Sequence, residues 1–259
     1  MNSVVCVAQV PDTEARIKIA AGGRRIDEAG LKFIVSPYDE YALEEAIRIK
    51  EAKGGEVAVI SFGPDRVQQA LRECLARGAT KALHIKGEVA DADSLGIAKV
   101  LAAAIKTVPH DLVFFGKQGV GTDNSLVGVM VAELLDCPQI NVVTHLEVGE
   151  GKVTAHRELE GAEEIIEASF PAVITAQKGL NEPRYASLKG IMAAKKIAIE
   201  SKSIADLGLQ DGDIFNQRVT VVSLELPPEK KGGRKIEGTD PAAAAKEIVK
   251  YIRDEAKAL

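Results

Sequence analysis

Along the first half of the chain, short β-branched apolar runs alternate with longer stretches whose apolar positions recur at helical spacing. SVVCVAQV (3–10) reads as a buried strand, followed by irregular chain with an edge strand at RIKIA. YDEYALEEAIRIKEAKG places Ala42, Ala46 and Ile49, and likewise Leu43 and Ile47, on helical faces. EVAVISFG (56–63) predicts a strand with a helix from Asp65 to about Arg77 behind it. KALHIKG (81–87) predicts the next strand, with a helix from Asp93 to Thr107, and DLVFFGK (111–117) another, with a helix from Asn124 to Leu135. Each step from strand through helix to strand needs a crossover, so the sheet is parallel, doubly wound and covered on both faces.

After Cys137 the period changes. INVVTHLEV, KVTAHRELEG, EEIIEASF and AVITAQK read as antiparallel strands by their alternation, with Gly149 and Gly151 marking a turn. PPEKKGGRKIEGTD (227–240) reads as a polar linker, and AAAAKEIVKYIRDEAKAL as a closing helix with Ile248, Tyr251 and Ile252 on one face. The expected plan is an α/β domain at 1–226 that contains an antiparallel β insertion, then linker and tail helix at 227–259.

Composition narrows the function. A net charge of -5 gives no basic footprint for nucleic acid, which sets that class of partner aside. Three cysteines far apart (Cys6, Cys74, Cys137) suit a reducing compartment better than a disulfide framework. MNSVVCVAQV reads as a first strand, not a signal peptide, and no apolar run is long enough for a membrane span, so the expected location is cytoplasmic. Aromatic residues make up 4% of the chain, with no Trp, so it has little of its own to stack on a flavin ring.

Ligands of parallel α/β sheets bind at the carboxyl ends of strands, where crossovers diverge. Cys6 to Asp12, Ser36 to Asp39, Ser61 to Pro64 and Gly116 to Asn124 fall at such ends. In GKQGVGTDNSLVG, Gly119 and Gly121 allow close backbone approach, Asn124 or Ser125 is placed to cap the next helix, and that helix start would favour an anion. The loop is not a P-loop, since Lys117 precedes the glycines, and Asn124 stands where a dinucleotide fingerprint has its third Gly. By itself it is equally a tight strand-to-helix turn. His84, His110, His145 and His156 have no metal-ligand spacing, and no acid–base set accompanies the loop, so neither a metal nor catalytic residues are expected. In LNEPRYASLKGIMAAKK (180–196), Ser187 is placed to cap a short helix whose Leu188, Ile191 and Met192 form an apolar stripe beside Arg184, Lys189, Lys195 and Lys196. The stripe is either core or an anchor offered to a partner.

Taken together, VVCVAQVPDTEARIKI, SPYDEYALEEAIRIKE, VISFGP, FFGKQ, HRELEG and, most specifically, LNEPRYASLKGIM resemble the small (beta) subunit of electron-transfer flavoproteins over nearly the whole chain. The resemblance implies a Rossmann-like fold of the adenine-nucleotide-binding type. It implies a larger alpha subunit that carries the redox FAD, and a structural AMP on this chain. The AMP site would use Cys6, Ser36, Pro37, Tyr38, Asp39 and Phe62, with the loop Gly116, Lys117, Gln118, Gly119, Val120, Gly121, Thr122, Asp123, Asn124, Ser125, Leu126 and Val127. Tyr38 would also touch the flavin edge. A recognition loop at about 176–198 would dock acyl-CoA dehydrogenases through Leu188, with Ile191, Met192, Arg184 and Tyr185 around it, and Glu158 would pair with the mobile flavin domain. Electrons would pass on to a quinone-reducing acceptor, and the tail helix would cross the alpha subunit.

The loop departs from many relatives, which carry acidic residues where Gly121 and Thr122 stand, leaving Asp123. The bifurcating branch, with a second FAD in the AMP pocket, has a loop resembling D-G-D-T-x-Q-V, whereas this chain has GTDNSLV. AMP is therefore the expected ligand, with a second FAD, another adenine nucleotide or an empty pocket as alternatives for the site, and a stand-alone adenine-nucleotide enzyme or a stress-protein-type nucleotide sensor as alternatives for the protein. A sensor of that type would end near the fifth strand and would not account for the last part of the chain.

Overall fold

The computed structural model describes residues 1–228, 235–236 and 240–258. They fall into two compact units, Met1–Leu224 and Glu225–Leu259.

In the first unit β1 (Ser3–Cys6) leads into the short β2 (Gln9–Pro11), which pairs antiparallel with β3 (Phe33–Val35). Helix α1 (Pro37–Lys53) opens on proline, whose missing N–H would be unpaired there anyway, and stops at Gly54. The strand–helix step then repeats through β4 (Val57–Gly63), α2 (Val67–Arg77), β5 (Lys81–Lys86), α3 (Ser94–Ile105), β6 (Leu112–Gly116) and α4 (Val127–Leu135). The strands β7 (Gln139–Val148), β8 (Lys152–Leu159), β9 (Ala162–Ser169) and β10 (Ala172–Ala176) follow, then α5 (Leu188–Ala194), β11 (Ile199–Ser203) and α6 (Asp211–Ile214).

Nine strands form one sheet in the order β11-β5-β4-β1-β6-β10-β7-β8-β9. Every neighbouring pair from β11 to β7 is parallel, and β8 and β9 extend the sheet antiparallel. Successive residues of the central strands feed opposite faces. Val59, Phe114 and Ile174 join Leu43, Ile47 and Leu71 of α1 and α2, while Ile60, Val113 and Val173 join Val100, Ile105 and Val131 of α3 and α4. Fully burying each such side chain contributes about 1.5–3 kcal/mol, so the doubly wound core expected from the apolar runs is what holds the crossovers.

Three expectations are corrected. AVITAQK was expected to be antiparallel, but β10 lies parallel between β6 and β7, with Ile174 opposite Phe114. All five of its residues are buried, which a central parallel strand requires and a half-exposed antiparallel strand does not. RIKIA forms no edge strand: within it only Ile19 makes a bridge, to Ile26. IESKS was not expected to be a strand, yet it forms β11 and closes the sheet beside β5 as a largely exposed edge.

In the second unit Asp240 caps α7 (Pro241–Lys250) by accepting from the Ala242 N–H at 3.0 Å. The expected tail helix continues only as a five-residue π-type turn, Tyr251–Glu255. Of the expected linker, residues 229–234 and 237–239 lie outside the described residues, as does residue 259 of the tail. Among the described residues no helix is long and apolar enough to cross a membrane.

Candidate functional site: a crevice between β1 and β6

The chain lays down β1, β4 and β5 in one direction across the sheet, then returns to place β6 on the other side of β1. The carboxyl ends of β1 and β6 therefore border the point where crossovers diverge, which is where such sheets bind ligands. The ladder between the two strands ends at Val5 opposite Phe114. Beyond it Asp39, in the first turn of α1, bridges the parted ends. Its Oδ2 accepts from the Ala8 N–H at 2.8 Å and its Oδ1 from the Gly116 N–H at 2.9 Å. The residue is 6% exposed. Burial pushes its pKa up to about 7, against the two amide bonds, which favour the charged form. A Cβ at position 116 would lie 2.5 Å from Asp39 Oδ1 and 2.6 Å from the Tyr38 carbonyl carbon, so only glycine fits.

The other expected crevice residues sit around this strut. Cys6 is buried, and its thiol is pushed well up by burial and then by the charge of Asp39, so it offers no thiolate. Pro37 and Tyr38 are half-buried at the start of α1. Ser36 is fully buried and its hydroxyl has no hydrogen-bond partner, and the same holds for Ser61 on β4. Buried polar atoms are rarely left so. Phe62 is buried with its ring over Gly87.

The loop after β6 folds on itself. Gln118 Nε2 donates to Asp123 Oδ1 at 2.7 Å, the Ser125 hydroxyl to Gln118 Oε1 at 3.2 Å, and the Asp123 N–H to the Gly119 carbonyl at 2.9 Å. Asn124 Nδ2 ties the loop to the start of α3 through Ser94 Oγ at 2.8 Å. Gly121, Asp123 and Ser125 have φ of 97°, 48° and 53°, the left-handed region that side chains disfavour. Neither Asn124 nor Ser125 caps α4 as expected. The cap position is Leu126, with no side-chain bond. Asn124 Oδ1 accepts from the Leu126 N–H at 3.4 Å, one residue before the helix, so the first N–H groups of α4 keep their capacity for an anion, at the positive end of the helix. Lys117 and Val120 are half-buried, Thr122 is exposed, and Val127 begins the helix.

A second surface forms at α5. The Ser187 hydroxyl accepts from the Gly190 N–H at 3.0 Å, the cap its position predicts. Leu188 is 83% exposed, Met192 59% and Ile191 41%, with Tyr185 beside them at 93%. Of the two readings of this stripe, the core one is excluded for this chain alone. A groove of about 420 Å³ runs beside it, walled by Arg72, Ala76, Tyr185, Ile191 and Lys195. Arg184 does not stand in the rim as a free cation. It meets Glu44 and Glu51 of α1, and Asn181 Nδ2 donates to the Tyr41 carbonyl at 3.0 Å and to Glu45 Oε2 at 2.9 Å. Asn181 and Glu44 fasten this loop to α1 through contacts the sequence does not signal, because nothing local marks a partner so distant in the chain. Glu158 is exposed near the end of β8, opposite Glu163 of β9.

The buried His84 is held by the Gly63 carbonyl and the Gln68 side chain, while His145 and His156 pack edge to face across β7 and β8. Among the described residues no group of three or more His, Cys, Asp or Glu could hold a metal ion.

Fold and crevice define an α/β protein with a mostly parallel sheet, a crevice at its strand-order reversal and an exposed apolar helix face at α5. The comparisons with known proteins specify it further. Residues 24–207 match the electron transfer flavoprotein domain. The chain is 38% identical to an electron transfer flavoprotein subunit beta of Bacillus subtilis, covering all of both chains. It is also 38% identical to the protein of the same name from Mus musculus, over 96% of this chain and 98% of that one. The chain belongs to the electron transfer flavoprotein family, among its beta subunits.

Proposed function

We propose that this chain is the non-catalytic half of a heterodimeric electron carrier, pairing with an alpha subunit that holds the redox FAD. The observation that carries this reading is the α5 surface: Leu188, Met192 and Tyr185 stand out in solvent on a loop pinned to α1 by Arg184 and Asn181. A rigid base with one greasy anchor suits a protein that must dock, exchange and leave. Acyl-CoA dehydrogenases are the proposed donors, and a quinone-reducing enzyme the proposed acceptor.

The crevice fits AMP as a structural ligand. The uncapped α4 start and the left-handed loop residues suit its phosphate, and the unpartnered hydroxyls of Ser36 and Ser61 are polar groups that a bound nucleoside would satisfy. Asp39, the raised carboxyl at the base of the loop, is spent on two backbone amides and the Cys6 thiol stays neutral, so the nucleotide would be held and left intact. FAD, when bound on the alpha subunit, supplies the one-electron chemistry. This chain contributes Tyr38 at the crevice rim and, at a distance, the exposed Glu158, whose charge biases the flavin domain's orientation. In the second unit Ile248 and Val249, each about half exposed, suit burial against the alpha subunit.

The test is to co-express the chain with its alpha partner, denature the purified complex and quantify released nucleotides. One FAD and one AMP per heterodimer supports the reading. Two FAD and no AMP places the protein in the bifurcating branch.

A further inference from the structure

We propose that Asp39 is the positioning residue of the crevice. In this view its ionised carboxylate holds the ends of β1 and β6 at their binding separation, and its protonation loosens them, so that nucleotide affinity follows the charge on this one side chain.

The geometry requires a two-oxygen acceptor. The β1–β6 ladder stops at Val5 and Phe114, and past that point neither Ala8 nor Gly116 finds its partner in the opposite strand. Each N–H takes one oxygen of Asp39 instead. The carboxyl group thus occupies the place of the missing rungs, at the one point in the sheet where the strands must part to admit a ligand. Gly116 confirms the closeness of fit, since any Cβ there would strike Asp39 or the Tyr38 backbone. A protonated carboxyl has only one oxygen free to accept without conflict, because its O–H points a proton at an N–H. One strand end is then left with a buried, unpaired amide.

Few groups compete for control of this charge. Glu40 is the neighbouring acid on its own helix, and Cys6 of β1 and Cys74 of α2 feel its field. Both thiols are raised by burial and stay neutral. Beside Gly116 the strand β10 presents Ala176, and beside Cys6 the strand β4 presents Ile60, neither titratable. Lys117 follows Gly116 in the chain. The burial that raises the Asp39 pKa to about 7 places the change within the physiological range.

The inference rests on the nucleotide reading of the crevice, and the experiment separates the two. In the heterodimer without added ligand, hydrogen exchange at the Ala8 and Gly116 amides is followed from about pH 8 to about pH 6, corrected for intrinsic rates, with Val5 and Val113 as internal references. Protection at Ala8 or Gly116 should fall as pH drops through about 7, while the references hold or rise with the global stability. Constant protection overturns the strut. AMP and adenosine affinities are then measured at both ends of the range. Since apparent affinity scales with the competent fraction, both should weaken about tenfold at the lower pH. Adenosine has no phosphate to titrate, so a change seen with AMP alone overturns the proposal. Asp39→Asn should bind both weakly and with no pH dependence. Protection that responds to pH in a protein binding no AMP at any pH refutes the nucleotide reading and overturns the affinity control, leaving the strut itself in place.

Discussion

Arg184 and Glu44 stand 140 residues apart in sequence and face each other as a two-pronged ion pair. Nε meets Glu44 Oε2 at 2.9 Å, one terminal nitrogen meets Oε1 at 3.0 Å, and the Arg184 backbone N–H adds a third bond at 3.1 Å. The rest of the guanidinium is taken by Glu51, at 2.6 and 2.9 Å. Fork-to-fork geometry of this kind fixes direction as well as distance. It fastens the stretch before α5 to α1, so the exposed apolar patch is presented from a fixed base.

Replacing Arg184 with Ala should therefore act at two levels. Glu44 is buried but keeps Arg48 at 3.0 Å, so the fold survives with a loss of about 2 kcal/mol. Denaturant unfolding measures that loss. Hydrogen exchange should rise across 180–187 and stay unchanged in the central strands. Uniform loosening of the whole domain would contradict the fastening role.

Acid should release the same loop. Burial pushes the Glu44 carboxyl up, but the Arg184 and Arg48 hydrogen bonds outweigh it and hold the pKa below its ordinary 4.5. A depressed carboxylate contributes stability that is complete above the unfolded value and is lost as pH falls through the lower folded value. Loop protection should thus persist at pH near 5 and disappear only below about 4.5. Asp39 has the opposite sign: its raised pKa means that ionising it costs stability as pH climbs from the ordinary 3.8 toward about 7. Asp39→Asn should flatten that decline in denaturant unfolding measured between those limits.

At the crevice Gly116→Ala forces a methyl group onto Asp39 and the Tyr38 backbone. Backbone on one side leaves little room to yield, so destabilisation of about 1–3 kcal/mol is expected, with at least a tenfold loss of AMP affinity. Calorimetric unfolding and nucleotide titration on the same preparation test this. Intact affinity in Gly116→Ala would show that the strand ends need not be this close.

Leu188→Ala removes a side chain that is 83% exposed, so stability should move by less than about 0.5 kcal/mol. Docking should lose the about 1.5–3 kcal/mol that burying a leucine supplies, a ten- to hundredfold rise in the KM for an acyl-CoA dehydrogenase. An unchanged KM would remove α5 from the docking surface.

The parallel layers were legible because each of VAVISFG, KALHIK and LVFFG is a bounded apolar run followed by a helical period. AVITA has the same character, but it follows three alternating strands and was read with them; only its partners reveal that it belongs to the core. IESKS carries too much charge to announce a strand, and its pairing to β5 depends on an edge left open elsewhere. In the site, the strand ends were legible from topology, whereas the division of labour was not. Asp39 sits in the segment expected to touch ligand, yet both its oxygens face backbone amides. Asn124 and Ser125 look like caps, yet tertiary bonds to Ser94 and Gln118 claim them. Side chains that can both donate and accept are assigned by three-dimensional competition, which no spacing encodes.

The position of β10 has a consequence for how the protein is made. β6 is synthesised early and holds its place beside β1, but its other edge is covered only by β10, which emerges after the whole β7–β8–β9 meander. Until then the nascent chain carries an open edge along LVFFG, all of it destined for burial. Unpaired apolar edges recruit wrong strands. For this edge the hazardous interval ends when Ala172–Ala176 slides between its two neighbours, while the outer edge of β5 waits longer still, for Ile199–Ser203.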